Sequence, residues 1–198
     1  SIFNEKARLW VRGRKNIFRQ INEKVKSGPV IWVHAASLGE FEQGRPLIEE
    51  IRRHYPDYKI LVTFFSPSGY EIRKSYQGAD YIFYLPLDTH TNAIRFIQAV
   101  KPVMALFIKY EFWYYYLSAL KSRNIPVYLV SGIFRPQQVF FRWYGTWFRK
   151  ILENFNHLFV QTKESEAMLR SINITNVTVS GDTRFDRVKQ ISAQAKEI

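Results

Sequence analysis

The sequence predicts an α/β domain built on a Rossmann-like, mostly parallel sheet with helices on both faces. Three observations carry this expectation. Short apolar runs recur along the chain and are separated by helical patterns of roughly 10–15 residues, the rhythm of βαβ units. The chain has 198 residues, of which 46% are hydrophobic, enough for one domain with a sizeable core. Several of the strand-to-helix junctions carry small residues and glycine, as at 35–39 and 66–69, where open α/β sheets bind ligands.

In chain order, residues 4–26 carry helical periodicity, with Leu9, Val11, Ile17, Phe18, Ile21 and Val25 set among basic side chains. Gly28-Pro29 breaks this pattern. Residues 1–28 are therefore expected to form a basic amphipathic helix packed on the domain. Apolar runs at 30–35, 59–65, 80–85, 102–108, 126–131 and 157–161 read as strands, and a last short one lies at 176–179. Helical patterns fill most of the gaps, at 40–54, 67–76, 89–100, 111–122, 136–152 and 163–171. The domain is expected to span 29–186, and the polar tail 187–198 reads as a helix or a linker.

Bulk composition excludes several classes. There is no cysteine, so disulfides and thiolate metal sites are ruled out. No apolar stretch reaches eighteen residues, and no signal peptide is expected. The four histidines, His34, His54, His90 and His157, lack metal-ligand spacing and read as structural or exposed; no metal is expected. Lys+Arg 29 against Asp+Glu 17 gives a net charge of +12, which calls for an anionic partner: nucleic acid, a membrane surface or a phosphorylated substrate.

The candidate chemistry lies at the ends of the apolar runs. Ser37-Leu38-Gly39-Glu40 follows the first strand. It reads as a capping box, with Ser37 as cap and Glu40 bonding back to it. It also reads as a catalytic base, Glu40, kept ionised by the helix dipole, beside free amides that suit an anion. Ser66-Pro67-Ser68-Gly69 repeats the arrangement after the second strand, as ordinary capping or as a phosphate cradle. Neither loop has the dinucleotide or P-loop fingerprint. Glu111, after the strand 102–108, shares the rim with Glu40 and is either a helix-start carboxylate or a second group of an active cleft. Residues 139–150 interleave Phe140, Phe141, Trp143, Tyr144, Trp147 and Phe148 with Arg142, Arg149 and Lys150. A buried helix, a membrane-interface element and a stacking surface for single strands all suit that composition. With the basic segment 4–26, an anionic membrane surface is favoured.

Trp32-Val-His-Ala-Ala-Ser-Leu-Gly-Glu40, Thr63-Phe-Phe-Ser-Pro-Ser-Gly69, Tyr84-Leu-Pro-Leu-Asp88, Glu111-Phe-Trp113, Ser131-Gly-Ile-Phe-Arg135 and Gly181-Asp-Thr-Arg-Phe-Asp186 occur in an order and spacing that resembles the 3-deoxy-D-manno-octulosonic acid (Kdo) transferases. The set covers residues 5 to 186. The resemblance implies the amino-terminal half of an inverting, two-domain GT-B glycosyltransferase that moves Kdo from CMP-Kdo to a lipid A precursor in lipopolysaccharide biosynthesis. It implies that this half binds the acceptor, and that the donor domain and a membrane-anchoring helix lie outside this chain, which alone would be inactive. Glu40 falls on the family's base. Ser37, Gly39, Ser66, Ser68, Gly69, Glu111, Arg135 and Arg142 are the expected acceptor contacts. No cofactor and no nucleic acid are expected, and the location implied is the cytoplasmic face of the inner membrane. The family's second motif, Glu-x-Glu-x-Trp-Pro, departs here: its first glutamate is Lys109 and its proline is Tyr114. The competing reading is a non-catalytic basic module for anionic membrane or single-stranded nucleic acid.

Overall fold

The computed structural model describes residues 2–181, with side chains from Glu5 onward. The Gly181–Asp186 motif beyond its first residue and the tail 187–198 lie outside the described residues. Two helices open the chain, α1 (Ile2–Arg14) and α2 (Ile17–Lys24). Seven strands follow: β1 (Val30–His34), β2 (Lys59–Phe64), β3 (Tyr81–Tyr84), β4 (Pro102–Ile108), β5 (Val127–Gly132), β6 (His157–Val160) and β7 (Val177–Val179). Between them run α3 (Leu38–His54), α4 (Pro67–Arg73), α5 (His90–Val100), α6 (Tyr114–Lys121), α7 (Thr146–Leu152) and α8 (Lys163–Arg170).

All seven strands are parallel, in the order β3-β2-β1-β4-β5-β6-β7. Strand side chains alternate between the two faces, so each strand feeds two cores. Trp32, Leu61, Phe107 and Leu129 face one core, under α2, α5, α6, α7 and α8. Ile31, Val33, Val62, Ile108 and Val130 face the other, under α3 and α4. Burial on both faces explains why the strands read as unbroken apolar runs. Gly44 of α3 sits where an added Cβ would lie 2.9 Å from Ile108, so glycine sets how closely that helix approaches β4.

Three elements differ from the sequence expectation. The segment 4–26 is two helices rather than one, because Asn16 adopts a left-handed conformation (φ 57) that an α-helix cannot continue through. Ile17 and Ile21 of the second helix then bury against the sheet. The segment 136–152 is a 3-10 turn at Val139–Phe141 followed by α7. Gly145 turns so tightly there that an added Cβ would lie 2.0 Å from the Val139 carbonyl oxygen. The helix expected from 111 starts only at Tyr114. The Asp88 carboxylate accepts the Tyr115 and Tyr116 amides (3.3 and 3.2 Å) and caps it from another loop. Glu111 is therefore a loop residue.

Candidate active site

The strand order reverses direction at β1. The chain moves outward through β2 and β3, then returns to place β4 on the other side of β1. That switch point opens a crevice at the carboxyl ends of β1 and β4. The two candidate carboxylates enter it from these strands.

After β1 the chain turns through Ala35 to Ser37 into α3. Ser37 is extended (φ −133) and caps the helix: the Glu40 amide reaches Ser37 Oγ, and Glu40 Oε2 accepts the Ser37 amide (2.9 Å) and hydroxyl (3.0 Å). This is a complete capping box. Gly39 is exposed, and an added Cβ would meet nothing within 4 Å, so the packing of the fold does not require glycine there.

Beyond β4, Lys109 is left-handed (φ 73), and so is Ser131 (φ 57) at the end of the neighbouring strand β5. Two non-glycine residues held this way side by side mark a rim whose backbone shape is imposed by its surroundings. Glu111 follows, only 5% exposed. Its Oε2 accepts from His34 Nε2 at 3.0 Å and from Trp113 Nε1. His34 Nδ1 lies 2.8 Å from Thr63 Oγ1, which also accepts the Trp32 indole N–H at 2.8 Å.

Burial raises the Glu40 pKa above the usual carboxylate range, and the nearby Glu111 carboxylate raises it further. The Ser37 hydrogen bonds and His34 pull in the opposite direction and do not outweigh these effects. The helix dipole, expected to keep Glu40 ionised, is thus opposed by effects that raise its proton affinity. Desolvation and a like charge dominate, and they make Glu40 a stronger base than a free glutamate.

The second loop stands beside the first. The Ala36 carbonyl accepts the amides of Phe65 (3.2 Å) and Ser66 (2.7 Å). Ser66 caps α4 through the Ser68 amide (3.2 Å), and the two hydroxyls share a hydrogen bond (2.8 Å). Gly69 is buried, and an added Cβ would lie 2.3 Å from the Phe64 ring, so packing accounts for this glycine. Arg135 and Arg142 are exposed on the loops after β5, and no hydrogen bond or ion pair joins their side chains to Glu40 or Glu111 among the described residues.

Aromatic rings border the crevice. Trp113 packs on Phe65 (4.9 Å) and Phe65 on Trp10 of α1 (5.7 Å). Arg14 inserts its guanidinium among Trp10, Phe65 and Tyr84, donates to the carbonyls of Leu85, Trp10 and Phe65, and is pushed down to about 10 by burial. On the other side, Tyr114 stacks near Trp147 (5.3 Å). The six aromatics of 139–150 divide: Phe140 is buried and Phe141 and Phe148 pack partly against the core, while Trp143, Tyr144 and Trp147 are 90%, 56% and 53% exposed. Among the described residues no helix is long and apolar enough to cross a membrane.

Sequence reasoning missed His34, Thr63, Arg14 and Asp88. Two signals were available. His34 and Thr63 are polar residues inside apolar strands, and neighbouring parallel strands place them side by side.

Residues 11–187 match the family model described as 3-deoxy-D-manno-octulosonic-acid transferase. Relatives of that name include proteins from Rickettsia bellii (28% identical over 189 residues, 89% of this chain and 44% of the relative) and Aquifex aeolicus (29% over 157 residues, 78% and 40%). The chain thus spans less than half the length of these relatives. Among solved structures, the UDP-GlcNAc 2-epimerase from Neisseria meningitidis aligns with a TM-score of 0.62 at 20% identity, covering 86% of this chain and 50% of that one. The UDP-N-acetylglucosamine 2-epimerase from Rickettsia bellii aligns with a TM-score of 0.62 at 16% identity, covering 85% and 48%. These likenesses show the fold, a Rossmann-like half of the GT-B kind. With its family model matched over nearly its whole length, the chain belongs to the 3-deoxy-D-manno-octulosonic-acid transferase family.

Proposed function

We propose that this chain is the acceptor-binding half of an inverting glycosyltransferase that moves Kdo from CMP-Kdo to a lipid A precursor. The observation that carries the reading is the meeting of Glu40 and Glu111 at the switch point, with burial and Glu111 both raising the proton affinity of Glu40. Glu40 removes the proton of an acceptor hydroxyl. That oxygen attacks the anomeric carbon of Kdo as the bond from that carbon to the CMP phosphate oxygen breaks, and CMP leaves with the bonding pair. The donor is held by the partner half of the two-domain enzyme, so this half alone binds acceptor without transferring sugar.

The open space at Gly39 lets an acceptor approach the first turn of α3. Ser37, Ser66 and Ser68 offer hydroxyls along the same rim, and Arg135 and Arg142 offer exposed cations for acceptor phosphates. Acyl chains and the surrounding bilayer are met by Trp143, Tyr144 and Trp147, and the +12 charge favours the anionic cytoplasmic face of the inner membrane, where the protein docks peripherally. Glu40→Gln in the full-length enzyme is expected to lower kcat by at least about a hundredfold while the protein stays folded. Near-normal turnover would remove Glu40 from the base role. Vesicles of anionic lipid are expected to bind wild type and to bind a Trp143→Ala, Trp147→Ala double variant more weakly. Preference for single-stranded oligonucleotide over vesicles would overturn the membrane reading.

A further inference from the structure

We propose that His34 is a positioning residue of this site: with Trp32 and Thr63 it forms a buried, directed hydrogen-bond chain that fixes the Glu111 carboxylate at the crevice it shares with Glu40. The inference rests on the reading of Glu40 as base. An indole N–H can only donate, so at the 2.8 Å contact Thr63 Oγ1 accepts from Trp32. The same hydroxyl oxygen lies 2.8 Å from His34 Nδ1, which is also 3.1 Å from the Thr63 carbonyl oxygen, so Thr63 holds the ring from two sides. A carboxylate oxygen accepts, so the contact of His34 Nε2 with Glu111 Oε2 at 3.0 Å is an N–H donated by the ring. Trp113, two residues on in the same loop, donates to the same oxygen, so strand and loop together pin one carboxylate atom.

The fold builds this chain from strand geometry. His34 and Thr63 are register partners on β1 and β2, and Trp32 precedes His34 by two residues, on the same sheet face. Trp32, His34 and Thr63 are each 0% exposed. Trp32 lies against Phe96, Phe107 and Tyr116 and His34 against Phe107, surroundings in which apolar side chains would pack at lower cost than an imidazole. What the polar trio supplies is direction, a donor aimed at Glu111. After burial, the Glu111 charge is the next largest cause raising the Glu40 proton affinity, so what holds Glu111 bears on the base.

The test uses the full-length enzyme and two conservative pairs. His34→Phe removes the donor and is expected to lower kcat about ten- to a hundredfold with acceptor KM within about twofold, the size of a misplaced catalytic group. His34→Gln, whose amide N–H can reach Glu111, recovers most of the loss. Thr63→Val deletes the hydroxyl and follows His34→Phe by a smaller factor, while Thr63→Ser matches wild type. The threonine pair carries the test if His34→Phe does not fold. Nitrogen NMR of the wild-type protein is expected to find His34 protonated at Nε2. Identical behaviour of Thr63→Val and Thr63→Ser, no recovery by His34→Gln, or a neutral ring protonated at Nδ1 overturns the proposal. These outcomes are separate from turnover by Glu40→Gln, which tests the base itself.

Discussion

The loops that follow β1 and β2 are written alike and are built differently. Each leaves a strand, places a serine at the cap and a glycine soon after, and enters a helix: Ser37-Leu38-Gly39-Glu40 and Ser66-Pro67-Ser68-Gly69. In the first, glycine faces open space and the cap's partner is a carboxylate; in the second, glycine lies under the Phe64 ring and the cap's partners are an amide and a hydroxyl. The first loop borders the switch point beside β4, whereas the second lies one strand further out. Position in the sheet, more than local motif, separates a candidate catalytic loop from a supporting one.

The widest separation is expected in turnover. Glu40→Gln should lose at least about a hundredfold in kcat, while Ser66→Ala should leave kcat within about twofold and raise acceptor KM several-fold. A comparable kcat loss in both would erase the contrast. Glu111→Gln comes next. It removes the second largest cause of the raised Glu40 pKa, so the acid limb of the kcat/KM profile should move to lower pH, with kcat reduced. An unmoved limb would uncouple the two carboxylates.

The glycines should differ in stability. Gly69→Ala forces a methyl group into the Phe64 ring and is expected to cost about 1–3 kcal/mol by denaturant unfolding. Gly39→Ala has space and should stay within about 0.5 kcal/mol of wild type while weakening acceptor binding. Equal stability losses would show that Gly39, too, is held by packing. The smallest effect concerns Glu40 itself. A carboxylate whose folded pKa is raised binds its proton more tightly in the native state, so its contribution to stability falls as pH rises above the unfolded carboxylate value. Glu40→Gln should therefore be as stable as wild type or more so at neutral pH. That difference should shrink as pH is lowered toward the normal glutamate range.

The fold was legible in the sequence wherever the signal is local. Apolar runs bounded by turn residues marked the strands, and the Ser37–Glu40 capping box was readable because its bonds span three residues. The limits of the same reasoning are local too. Periodicity ran through Asn16, whose left-handed backbone ends α1, and through Gly145, whose tight turn splits the aromatic segment. It did not reveal which of that segment's rings face water.

The sequence by itself determined the alternation of strands and helices, the basic and aromatic character of the chain, and Glu40 with its cap, because propensity, period and short-range hydrogen bonding act between near neighbours. Only the tertiary structure decided that β4 lies beside β1 and brings Glu111 to His34 across 77 residues. It also decided that Glu40 is a stronger base than its helix position implies. Desolvation and charge–charge coupling depend on what surrounds a group in space, and no run of adjacent residues specifies that.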